Sequence, residues 1–122
     1  MSDDGFKRFI ILRLFADIDL SEGDSARAMK RYQVALIFNK EDFRIYNAMG
    51  EAYFAMNNLE QALQSFKRAL ELYQYSADVL NNVGVVFANI GKTDEASNCF
   101  KKALCLMPTH SDGRENMEQI DQ

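Results

Sequence analysis

An all-α fold, a solenoid of stacked helix pairs, is predicted by three observations. The same residue types return every 34 positions across the windows 9–42, 43–76 and 77–110. The 122 residues include one Pro and six Gly, too few turn-forming residues for a protein of many short strands. Apolar residues make up 48% and charged residues 26%, a balance that buries a core and excludes disorder driven by low hydrophobicity.

The first half of each window predicts one helix. Leu12, Tyr46 and Leu80 coincide, as do Phe15, Met49 and Val83, and then Ala16, Gly50 and Gly84. In the second window Tyr46, Met49, Gly50 and Tyr53 fall at helical intervals and make one apolar stripe. Gly23-Asp24, Asn57-Asn58 and Gly91-Lys92 follow, residue types that tolerate the left-handed conformation ending a helix. The second half predicts the partner helix, through Ala28, Ala62 and Ala96, then Tyr32, Phe66 and Phe100, then Ala35, Ala69 and Ala103. Gly and Ala in the first helix let the two backbones approach, and the aromatic fills the groove between them. Neither helix buries its stripe alone, so the pairs must stack.

The pattern resembles the tetratricopeptide repeat, whose signature is a large apolar residue, Leu-Gly, Tyr, then Ala, Phe, Ala and Pro. The third window carries all eight positions in Leu80, Val83, Gly84, Phe87, Ala96, Phe100, Ala103 and Pro108. The second keeps seven, with Gln74 in place of Pro. The first keeps six, with Asp19 where the aromatic belongs and Lys40 for Pro. The resemblance implies a right-handed α-superhelix of three repeats, 9–42 (degenerate), 43–76 and 77–110, between an N-terminal tail (1–8) and a C-terminal capping helix (111–122).

It also implies a function. In such arrays the first helices line a concave groove that holds a peptide or helix of a partner protein. The groove positions carried onto this chain are Ile10, Arg13, Asp17 and Leu20, then Arg44, Asn47, Glu51 and Phe54, then Asp78, Asn81, Val85 and Ala88. Asn47 and Asn81 are expected to pair with a ligand backbone, since an amide both donates and accepts. Phe54 and Val85 would supply apolar contact, and Arg13 and Arg44 would meet acidic groups. The resemblance does not extend to the carboxylate clamp with which some co-chaperones grip acidic chaperone tails. Those positions are Arg13, Asp17, Ala48, Asp78 and Asn82 here, and two of them would repel a carboxylate.

The first window departs from the others. Asp19, Glu22 and Ser25 stand where Tyr53, Met56 and Leu59 stand in the second. An unpaired buried carboxylate costs several kcal/mol, so the end of the first helix is expected to splay, rotate or stop early. Phe6, Ile10, Ile11, Leu14 and Ile18 add apolar surface on faces that would meet a preceding repeat. Two coverings are compatible with this: the tail folds back, or the stripe meets a second copy or another partner, as in a homodimer or fixed assembly subunit. At the other end Thr109 or Ser111 is placed to cap a last helix whose Met117 and Ile120 face Phe100 and Leu104, with Asp112, Glu115, Glu118 and Asp121 in water.

Catalysis finds no constellation. The lone histidine, His110, has no second ligand at metal spacing and no nucleophile beside it, so no enzyme activity, metal or cofactor is expected. The pairs Lys67-Arg68 and Lys101-Lys102 read as solvated outer faces. The net charge is −4, with −1, 0 and 0 on the three repeats and −3 on the cap, which argues against nucleic acid. No run approaches the roughly 20 apolar residues of a membrane span. Cys99 and Cys105 are six apart and point in different directions on a helix, so free thiols and a cytoplasmic setting are expected. An adaptor or scaffold is the leading expectation, and a chaperone that holds an aggregation-prone client is the related alternative.

Overall fold

The computed structural model describes residues 3–108 and 116–119. Six helices follow one another: α1 (Asp3–Ser21), α2 (Ser25–Phe38), α3 (Phe43–Ala55), α4 (Leu59–Leu72), α5 (Ala77–Asn89) and α6 (Thr93–Leu106). A further helical turn covers 116–119. The helices pack as the pairs α1/α2, α3/α4 and α5/α6, and α2 and α4 each also pack on the first helix of the next pair. The chain is a right-handed superhelix of three helix pairs.

Each pair closes through the same turn. Gly23 (φ +85°), Asn57 (φ +60°) and Gly91 (φ +85°) all adopt the left-handed conformation. The N–H of the following residue then reaches back across the turn: Asp24 to the Asp19 carbonyl, Asn58 to Tyr53 and Lys92 to Phe87, each at 2.8 Å. These bonds satisfy carbonyls that the helix end leaves open. Asp24, Asp42, Asn58 and Ser76 cap the next helices by accepting from the backbone N–H of Arg27, Arg44, Gln61 and Val79.

The core forms where pairs meet. Phe9, Ala16, Ala28, Met29, Tyr32 and Ala35 join Ile45, Met49 and Ala52 of α3 in one cluster. Ala62, Phe66 and Ala69 join Val79, Val83 and Val86 of α5 in the next. Close approach within a pair depends on glycine: a Cβ on Gly50 would stand 2.4 Å from Phe66 Cε1, and one on Gly84 2.5 Å from Phe100 Cε1. Gly84→Ala relieves a helix-interior glycine by about 1 kcal/mol. It also overpacks the core by about 1–3 kcal/mol, so a net loss in urea denaturation is expected despite the better helix former.

Two expectations for the N-terminus are corrected. Residues 3–8 do not fold back as a tail, because α1 begins at Asp3 and runs through them. Acidic residues at its start and no proline favour that extension. Nor does α1 end early at Asp19. Its carboxylate, only 4% exposed, is paired with the Arg31 guanidinium of α2 at 2.8 Å. The Arg31 guanidinium also stacks over the Phe15 ring, 5.2 Å from its centroid. A partner on α2 removes the cost that an unpaired carboxylate would impose. At the other end Met117 accepts a weak bond from Ser97 Oγ (3.9 Å), which seats the last turn on α6. The expectations for Thr109, His110, Ser111, Asp112, Glu115, Ile120 and Asp121 fall outside the described residues.

Candidate peptide-binding groove

The first helices α1, α3 and α5 line one side of the array, where three depressions form a row. Asp17, Leu20, Ser21 and Glu51 enclose the first, of about 410 Å³. Glu51, Phe54, Phe66, Asn82 and Val85 enclose the second, of about 130 Å³. Val85, Ala88, Asn89, Phe100, Asn116 and Gln119 enclose the third, of about 270 Å³. Glu51 and Val85 are each shared by two neighbours, so the three make one continuous path. The buried aromatics Phe66 and Phe100 provide part of its lining as well as the core. A larger depression of about 530 Å³ lies elsewhere, between the ends of α4 and α6, beside Lys101 and Lys102.

Of the residues placed in the groove by resemblance, Asp17, Leu20, Glu51, Phe54, Val85 and Ala88 border this path. Asn47 and Asn81 have a different employment. Asn82 Nδ2 donates to Asn47 Oδ1 at 2.9 Å, and Asn116 Nδ2 donates to Asn81 Oδ1 at 3.0 Å. Each bond joins one first helix to the next, so the amides form a ladder along the array. Asn81 is 5% exposed. The signal for the ladder was in the sequence, since Asn82 and Asn116 are also 34 apart.

Neither arginine borders this path, although the Arg44 side chain is 64% exposed. Arg13 Nη1 lies 3.4 Å from Asp42 Oδ2 and Arg44 Nε 3.3 Å from Asp42 Oδ1, so both cations turn to the carboxylate that caps α3. Ile10 packs partly buried against the first core cluster. Asp78 is exposed near the start of α5.

What remains charged along the path is acidic. Burial pushes the Glu51 carboxyl above the usual carboxylate range; the Asn82 amide, donating at 3.3 Å, partly offsets this, and Asp78 and Asp17 reinforce it. Asp17 accepts a hydrogen bond from the Tyr32 hydroxyl. Burial raises the Tyr32 phenol and the Asp17 bond adds to the effect, which keeps the phenol a donor. The wall of the groove is thus a row of acceptors beside apolar side chains. Among the described residues no group of His, Cys, Asp and Glu could hold a metal ion. Cys99 and Cys105 are free thiols, and burial pushes that of Cys99 up, away from the reactive thiolate. No described helix is long and apolar enough to cross a membrane.

The tetratricopeptide repeat family model matches residues 41–109, and the chain belongs to that family. It is 29% identical over 119 residues to human outer dynein arm-docking complex subunit 4, covering 81% of this chain and 18% of that protein. It is 27% identical over 124 residues to Xenopus laevis protein arginine N-methyltransferase 9, covering 93% of this chain and 15% of that protein. The chain therefore spans less than a quarter of these relatives. In fold it matches the first TPR of Spaghetti (RPAP3), bound to an HSP90 peptide, with a TM-score of 0.89 at 16% identity, covering 95% and 92% of the two chains. It also matches the Yersinia enterocolitica type III secretion chaperone SycD, in complex with a peptide of the translocator YopD, with a TM-score of 0.85 at 17% identity, covering 98% and 95%.

Proposed function

We propose that the chain is a non-catalytic adaptor that holds a peptide segment or helix of a partner protein along the row of depressions from Leu20 to Ala88. The observation that carries this reading is the continuity of that path, with apolar Leu20, Phe54, Val85 and Ala88 set beside the acceptors Asp17 and Glu51. Apolar anchors in pockets supply affinity, and a few placed polar groups fix register. The fitting ligand presents apolar side chains to Phe54 and Val85 and N–H or cationic groups to Asp17 and Glu51. Acidic chaperone tails do not fit: the clamp positions hold Asp17 and Asp78, and Arg13 is occupied by Asp42. Peptide binding by the fold neighbours supports the mode of binding and leaves the ligand to this chain's own side chains. A cytoplasmic setting accords with the free thiols.

The test is a display selection of random peptides against the intact chain, followed by calorimetry. Glu51→Gln with Phe54→Ala and Val85→Asp is expected to weaken the selected peptides at least about tenfold while the fold survives. Unchanged affinity in that variant places the binding surface elsewhere. Asn47 and Asn81 are unsuitable for the purpose, because their removal breaks the ladder between repeats.

A further inference from the structure

The outward face of α1 differs from its counterparts in one respect. At the positions occupied by Ile11, Phe15 and Ile18, α3 carries Ile45, Met49 and Ala52, and α5 carries Val79, Val83 and Val86. Those six side chains are at most 8% exposed, covered by the second helix of the preceding pair. Ile11, Phe15 and Ile18 are each about half exposed, as is Leu14. A face of this composition and spacing fits a helix.

The pattern along α1 names the helix. Ile11 and Ile18, Leu14 and Phe15, and Lys7 and Glu22 are three pairs equidistant from one point between residues 14 and 15. Positions 7, 11, 14, 15 and 18 share one helical face, and Glu22 follows in the turn directly after α1, its N–H still donating to the Ile18 carbonyl at 2.9 Å. Lys7 and Glu22 are exposed and make no ion pair with a described residue. Two copies of α1 laid antiparallel about a two-fold axis at that point bring Ile11 to Ile18, Leu14 to Phe15 and each Lys7 to a Glu22 of the other copy. Self-complementarity of one patch about a two-fold axis is what a symmetric dimer requires. A parallel arrangement would set like charges together.

We propose that this face joins two copies of the chain into an antiparallel α1–α1 dimer. The proposal is independent of the groove, since Ile11, Leu14, Phe15 and Ile18 line none of its three depressions. Sedimentation equilibrium on the intact chain from about 5 to about 200 µM is expected to show reversible growth toward twice the 14.0 kDa chain mass. Ile11→Glu with Ile18→Glu, both at exposed positions, is expected to weaken association at least about tenfold while circular dichroism stays unchanged. Lys7→Glu or Glu22→Lys alone weakens the dimer, and the two together restore it. A wild-type chain that stays monomeric throughout, or that associates only with an added helix pair from another protein, overturns the proposal. So does a dimer indifferent to the Glu substitutions, or one that the charge exchange does not rescue.

Discussion

Phe66→Ala is expected to lower stability by about 3–5 kcal/mol, the range for truncating a buried aromatic. Phe66 is 2% exposed and joins α4 to Val79, Val83 and Val86 of the next repeat, so the loss falls on the contact between repeats as well as within one. In thermal denaturation this corresponds to roughly 10–20 °C for a chain of this size. The substitution also tests the glycine. A Cβ at Gly50 collides with the Phe66 ring at 2.4 Å, so Gly50→Ala is destabilising in the wild-type background. In the Phe66→Ala background the methyl enters the vacated space and the same change becomes neutral or stabilising. A coupling of about 1–3 kcal/mol in the double-mutant cycle is expected. Additive effects would show that the aromatic and the glycine do not share one space.

Arg31→Ser is the second large effect. It leaves the Asp19 carboxylate, 4% exposed, without its cation, and breaking such a pair from one side costs about 3 kcal/mol. The repeats suggest the remedy. The positions of Asp19 and Arg31 hold Tyr53 and Ser65 in the second repeat and Phe87 and Cys99 in the third. A large residue on the first helix meets a small one on the second there, and the first repeat reverses the sizes and adds opposite charges. Asp19→Tyr with Arg31→Ser rebuilds the second repeat's arrangement and is expected to recover most of the lost stability in urea titration. A single Arg31→Ser variant as stable as wild type would mean that the buried pair contributes nothing.

That exchange also shows what the sequence makes legible. The helix pairs, their turns and their aromatic cores follow from a 34-residue frame in which Ala, Gly and aromatic residues each have one steric role. Asp19 stood out as a break in the frame, but its consequence depended on Arg31, twelve residues on and legible only beside Ser65 and Cys99. The groove was legible as a surface more than as a chemistry. Arg13 and Arg44 face a ligand in the frame alone, whereas in the fold the Asp42 carboxylate that caps α3 draws both. Asn47 and Asn81 read as ligand contacts from the frame alone, whereas in the fold Asn82 and Asn116 donate to their amide oxygens. Local periodicity locates a side chain on a face; which group on the next helix claims it is set by the superhelix.

The groove reading is tested most directly by titrating one selected peptide into the isotopically labelled chain and mapping the perturbed amide resonances. The largest changes are expected along the row from Leu20 through Glu51, Phe54 and Val85 to Ala88. Perturbation confined to the face of Ile11 and Ile18, or to the depression between α4 and α6 beside Lys101, would contradict the account.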